Sequence, residues 1–197
     1  MRTDPKSFIP FLKDRLSRFD DSGMRYLRDD GIFMRTQEGK AAVEEAIRFL
    51  ENVEPCSPLE WSRGLILAAQ DHCEDAGPKG LFGHTGSDGT SPFDRMDRYG
   101  TRRGFAGENI MYGAQSPVEV IVDLFIDDGV SNRGHRVNIF KQDFTQTGIF
   151  TCPFKGQLES MNVLTYAGKY SEDLSAERQS TGEQATPVKE EPSSTSG

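Results

Sequence analysis

Cysteine, histidine and tryptophan are scarce in this chain. Cys56, Cys73 and Cys152 are its three cysteines in 197 residues. That number is too small and too odd for a disulfide framework; one bridge plus a free thiol and three reduced, buried thiols both stay open. No C-x-x-C or Cys/His spacing points to a structural zinc site. No apolar run reaches the ~20 residues of a membrane-spanning helix, which argues against an integral membrane protein. The opening "MRTDPKSFIPFLKDRL" breaks its apolar positions with charges, so it lacks the uninterrupted apolar core of a secretory signal. A basic excess is missing too: 23 Lys and Arg stand against 31 Asp and Glu, a net charge of −8. Without a basic stripe, nucleic acid is not expected as a partner. Neither G-x-S-x-G nor H-E-x-x-H occurs, so no recognised hydrolase signature is present.

The acidity is uneven. Residues 171–197 hold six acids, two bases and no aromatic residue. Such a segment buries too little apolar area to offset its ordering entropy, so it reads as a disordered acidic tail. Within it, "PVKEEP" resembles a sumoylation consensus around Lys189. Residues 1–37 mix short apolar groups with Asp, Arg and Gly and read as an N-terminal extension with one helix. The folded domain is expected over 38–170.

Inside that domain the periodicity changes along the chain. "EGKAAVEEAIRFLENV" places Ala42, Val43, Ala46, Ile47 and Leu50 at helical spacing, predicting a helix near 38–51. "CSPLEWSRGLILAAQDHCEDAG" predicts a second helix, capped by Ser57 with Pro58 and Glu60 and stopped at Gly77–Pro78. Ser91–Pro92 starts a short helix ending near Gly100. "GTRRGFAGENIMYGAQ" carries four glycines and reads as irregular. "SPVEVIVDLFIDDG" repeats the capping grammar with Ser116, Pro117 and Glu119, and Gly129 is its expected terminator. "DFTQTGIFTC" and "MNVLTYAGKY" read as an antiparallel strand pair joined through "PFKGQLES". Helices first and strands later, without a βαβ rhythm, define an α+β fold.

Four polar residues stand out: His84, Glu108, Asp128 and His135. Each alone has an ordinary structural explanation. Helical geometry at ~100° per residue separates the two aspartates that end "DLFIDDG". Asp127 continues the acidic stripe of Glu119 and Asp123. Asp128 follows Ile121, Leu124 and Phe125 by seven, four and three positions and so shares the apolar face. A carboxylate there requires a cation, a donor or an open cleft, and nearby Arg133, His135 and Arg136 are its candidate partners. Two imidazoles and two carboxylates meeting in one place would suit a divalent cation such as zinc, with the acids as ligands or as orienters of the rings. Their spacing fits no compact metal motif. His72, on the second helix, reads as structural.

The ordered set "LEWSRGLILAAQDHC", "GHTGSDGTSPFDRM", "GFAGENIMYG", "SPVEVIVDLFIDDG", "RGHRVNIF", "DFTQTGIF" resembles the CAP superfamily: cysteine-rich secretory proteins, antigen 5 and pathogenesis-related proteins. The similarity covers residues 40–170 and is nearest to the bacterial and protist SCP-domain branch. It implies an α-β-α sandwich with a small, mainly antiparallel sheet between helices. It also implies an open cleft of two histidines and two acids. Matched motif by motif, His84 and His135 take the histidine places and Glu108 of "GENI" takes the first acid. Phe125 plus three gives Asp128 for the second acid, with Asp127 there if the match slips by one. The family's tryptophan on this helix is replaced by Phe125.

The resemblance favours a non-enzymatic binding module. On that reading His84 and His135 hold a divalent cation, Glu108 and Asp128 support it, and a sterol or lipid uses an apolar groove elsewhere. A metal-dependent hydrolase with Glu108 as general base and a purely structural interaction domain are the alternatives. A protein surface and a second copy of the chain, as a homodimer, stay open as partners. Members of the family are mostly secreted, which the visible N-terminus does not match.

Overall fold

A computed structural model describes residues 1–113 and 116–175. The fold is an α+β sandwich. Its central sheet contains β3 (Glu60–Trp61), β4 (Gly100–Tyr112), β5 (Gln146–Phe154) and β6 (Glu159–Glu172), in the order β3-β5-β6-β4. β6 pairs antiparallel with both β4 and β5, while the two-residue β3 runs parallel to β5. Side chains along β6 alternate between two cores, as the pleat requires. Leu164 and Tyr166 join Leu50, Phe125 and Phe140 beneath α1 (Ile9–Ser17), α2 (Lys40–Asn52), α5 (Pro117–Ile126) and α6 (Gly134–Phe140). Val163 and Ala167 turn the other way, under α3 (Arg63–Ala76) and α4 (Pro92–Asp97). A Cβ at Gly148 would collide with the backbone of Leu65 and Ile66, so glycine there lets α3 lie directly on β5.

The expected antiparallel pair is present as β5 and β6, and the helix expected over 38–51 is α2. Other expectations need correction. The second helix begins at Arg63 rather than near Ser57. Ser62 caps it by accepting from Leu65 N, and the stretch before it supplies β3 instead. "GTRRGFAGENIMY" is not irregular; it is the 13-residue edge strand β4. Its glycines misled because two of them serve the strand. Gly104 (φ +86°) sits where the register shifts between Arg103 and Ala106, a bulge. At Gly107 a Cβ would press within 3.2 Å of Asn138 and Phe144.

The first 37 residues hold more structure than one helix. A 3-10 turn (Pro5–Phe8) leads into α1, and β1 (Arg25–Leu27) pairs with β2 (Phe33–Arg35) as a hairpin. The segment is tied into the main core. Leu12 is fully buried, and Arg2 donates to Ile139 O (2.7 Å) and Phe144 O (3.2 Å). Arg15 donates to Asp123 (2.6 Å) and Glu119 (2.5 Å) on α5, with its guanidinium 4.0 Å from the Tyr26 ring centre. Burial pushes the Asp123 carboxyl up, and Arg15 opposes that shift.

Of the acidic tail expected from residue 171, Ser171 and Glu172 belong to β6. Residues 176–197, with Lys189, lie outside the described residues. Among the described residues no helix is long and apolar enough to cross a membrane.

Of the two cysteine states left open, the structure has the bridge: Cys73 on α3 pairs with Cys152 on β5, Cα atoms 5.8 Å apart, and Cys56 is a buried free thiol. The bridge closes a loop with a sequence separation of 79 residues inside the α3-side core. Cross-links of this kind typically contribute about 2–4 kcal/mol, chiefly by restricting the unfolded chain. Reduction is expected to lower the urea midpoint by that equivalent, and Cys73→Ala with Cys152→Ala to reproduce the loss. Coincident unfolding curves for oxidised and reduced protein would contradict this.

Candidate functional site

Strand β4 organises the polar centre because it is an edge strand with helices on both sides. Glu108 and Asn109 are consecutive and therefore face opposite sides of the sheet. Glu108 lies opposite Thr165, whose hydroxyl donates to Leu65 O of α3. Asn109 lies opposite Leu164, in the core of α2 and α5.

On the α3 side, the Glu108 side chain is 1% exposed. One oxygen accepts from Arg95 Nη2 (2.9 Å) on α4, and the other lies 2.7 Å from His84 Nδ1. A buried carboxylate needs such a partner, and Arg95, itself 2% exposed, supplies it. The loop carrying His84 is held from several sides. Arg95 Nη2 donates to His84 O (3.1 Å), Gly83 N donates to the Tyr112 hydroxyl (2.9 Å), and His72 Nε2 meets Gly83 O at 2.8 Å. His72 is thus a buried support for the loop. Burial, and secondarily the charge of Arg95, push its imidazole below its ordinary pKa. The His84 side chain, by contrast, is 48% exposed.

Asn109 reaches the other histidine. Its Nδ2 donates to His135 O (3.0 Å), and its Oδ1 accepts from Asn138 Nδ2 (2.8 Å) on the same helix, α6. Two consecutive residues of β4, ~3.8 Å apart at Cα, thus hold His84 by its ring and His135 by its backbone.

The carboxylate beside His135 is Asp127, not Asp128. His135 Nδ1 lies 2.6 Å from Asp127 Oδ1, and His135 N donates to Asp127 Oδ2 (2.9 Å). The placement of Asp128 on the apolar face assumed that α5 continues through it. The helix stops at Ile126 instead, and Asp127 is its C-cap in the left-handed region (φ 57°), which swings that side chain inward. Arg136 stabilises this end, donating to Phe125 O (2.7 Å) and Ile126 O (2.9 Å). The partner that Asp128 requires is backbone: it accepts from Gln37 N (2.6 Å) and Glu38 N (2.8 Å). Glu38 in turn receives Arg133 through both oxygens (2.7 Å each) and Gly129 N (2.7 Å). The base of the N-terminal hairpin is thereby fastened to the loop carrying Asp127 and His135.

Arg95 and Asn109 escaped the reading of the sequence as site residues, while Arg133 and Arg136, the partners expected for Asp128, bind Glu38 and the end of α5 instead. Only Asn109 left a signal, as the neighbour of Glu108 on a strand with alternating faces. Arg95 left none, because its partner Glu108 lies on β4, a stretch that reads as irregular.

Chemically, each imidazole presents the same arrangement. A carboxylate accepts only, so in the neutral ring the nitrogen facing it, Nδ1, carries the proton and Nε2 keeps its lone pair. That donor chemistry fits a cation-binding imidazole whose carboxylate stands behind it. Among the described residues, however, no three His, Cys, Asp or Glu side chains converge as a metal-ligand group.

The family model for the cysteine-rich secretory protein family, CAP, matches residues 53–167, and the chain belongs to that family. It is 31% identical over 129 residues to the uncharacterized protein YkwD of Bacillus subtilis (strain 168), covering 64% of this chain and 46% of YkwD. The chain thus spans less than half the length of that relative. Among solved structures, an outer surface protein of Borrelia burgdorferi is similar with a TM-score of 0.48 and 17% identity, covering 57% of this chain and 78% of that one. An extracellular protein containing a SCP domain from Bacillus anthracis str. Ames gives 0.46 and 23%, over 62% and 37%.

The Glu38–Arg133 contact carries a pH dependence. Arg133, then Gly129 N, hold the Glu38 carboxyl down at about 2. A depressed carboxyl stabilises the fold above its unfolded pKa of ~4.3, and that contribution is lost as pH falls toward 2. Denaturation midpoints of the parent and Glu38→Gln proteins are expected to differ at pH 6 and to converge by about pH 2. A gap that stays constant from pH 6 to pH 2 would rule this contact out as an acid-sensitive one.

Proposed function

We propose that this CAP domain is a non-enzymatic binding module in which His84 and His135 hold a divalent cation such as zinc through their Nε2 atoms. Glu108 and Asp127 orient the rings from behind, the role first assigned to Glu108 and Asp128. The observation that carries the reading is the matched pair of carboxylate-backed imidazoles, each reaching solvent while its carboxylate is buried. Two imidazoles leave the remaining positions on the ion to water or a ligand. Binding is favoured over hydrolysis because both Glu108 oxygens are already engaged, by Arg95 and His84, so Glu108 is poorly placed as a general base.

A sterol or lipid would take a separate apolar groove of about 420 Å³ beside Phe8, Trp61, Ile121 and Ile149, on the face away from α3. Trp61 is 67% exposed at its edge. The Cys73–Cys152 bridge supports an oxidising compartment, consistent with secretion.

Zinc is expected to raise the melting temperature, by the equivalent of about 2.7 kcal/mol at 100-fold excess over Kd. The His84→Ala, His135→Ala double variant should lose the gain. A melting curve indifferent to zinc would remove the cation from the proposal. Fluorescent-lipid titration tests the groove, and an absence of saturable binding would remove the lipid.

A further inference from the structure

A second cavity, of about 260 Å³, opens directly beside His135 and Asp127. About a third of its wall comes from the N-terminal segment, which precedes the stretch matched by the family model. Phe19, Tyr26 and Met34 face Met111, Leu124 and Ile126 across it. The hairpin that walls the cavity is fastened at its base by Asp128, Glu38 and Arg133, and Arg15 holds α1 against α5 beside it.

We propose that this pocket binds a compact, neutral, largely apolar molecule bearing one hydroxyl, of the class of short aliphatic alcohols. Three observations select that chemistry. The lining is mostly apolar and the volume lies just under the ~300–1,000 Å³ of small-molecule pockets, which suits a short chain and excludes a sterol. The charged lining disfavours an anion. Asp123, Asp127 and Asp128 stand against Arg15 and Arg35, and Arg15 is already bound to Asp123 and Glu119. Finally, Nδ1 of His135 is committed to Asp127, so the polar atom left on the neutral ring is Nε2 with its lone pair. A lone pair calls for a donor, and a hydroxyl supplies one at no cost in charge.

The inference does not depend on the proposed cation: the two would compete for the same His135 Nε2 lone pair, so the alcohol is tested on metal-free protein. Six methionines make the test direct, because Met34 and Met111 line the pocket while Met96 and Met161 are buried elsewhere. The full chain, carrying 13C-methyl methionine, is titrated with 1-hexanol. Saturable shifts are expected at Met34 and Met111 and none at Met96 or Met161. The isosteric ether 1-methoxypentane, which lacks the donor, should bind roughly three- to ten-fold more weakly, and hexanoate should not bind. His135→Ala should erase the preference for alcohol over ether. Filling the pocket from either wall, by Met34→Trp or Met111→Trp, should abolish binding. His84→Ala should leave the alcohol bound while removing any zinc response, so the two readings fail separately. Shifts absent at Met34 and Met111, equal affinities for alcohol and ether, or hexanoate binding as well as hexanol would overturn the proposal.

Discussion

The buried pair of Glu108 and Arg95 is the constraint on which the polar centre depends. Both side chains are almost fully enclosed, so neither is tolerable without the other. Their pairing fixes α4 against the edge strand and leaves one Glu108 oxygen for His84. Arg95 spends a further bond on the carbonyl of His84 itself. The strand's alternation does the rest, because the residue after Glu108 must face the opposite side. There Asn109 takes hold of α6 and with it His135. One edge strand therefore anchors both histidines, His84 by its ring and His135 by its backbone carbonyl.

The second histidine also needs a helix to stop at the right residue. α5 ends at Ile126, its terminal carbonyls are covered by Arg136, and the left-handed Asp127 turns back to meet His135. Asp128, Gly129 and Arg133 then bind the hairpin base through Gln37 and Glu38. The N-terminal residues are thus part of the domain's packing: Arg2 and Leu12 reach the main core, and Arg15 neutralises acids on α5.

What was legible in the sequence follows from local physics. α2 declared itself by periodicity, α5 by its Ser116 cap, and β5 and β6 by alternation. The family resemblance supplied the sandwich and pointed to His84, Glu108 and His135. What was not legible depended on tertiary context. β4 was hidden because Gly104 and Gly107, breakers in isolation, serve a bulge and a close approach to α6. Asp128 was preferred over Asp127 because the face argument extrapolated helical geometry one residue beyond the true helix end. The hairpin was missed because its strands are only three residues each, too short to show alternation, and Arg95 because its partner Glu108 sits on the strand that read as irregular.

Everything at the site turns on both neutral imidazoles being held by buried carboxylates in one tautomer, with Nε2 free. Long-range 1H–15N correlation spectra of the histidine side chains at pH 8 measure this directly. For His84 and His135 the account predicts a protonated Nδ1 and an unprotonated Nε2, with Glu108→Gln disturbing His84 alone. Rings that protonate on Nε2, or average freely between tautomers, would contradict it.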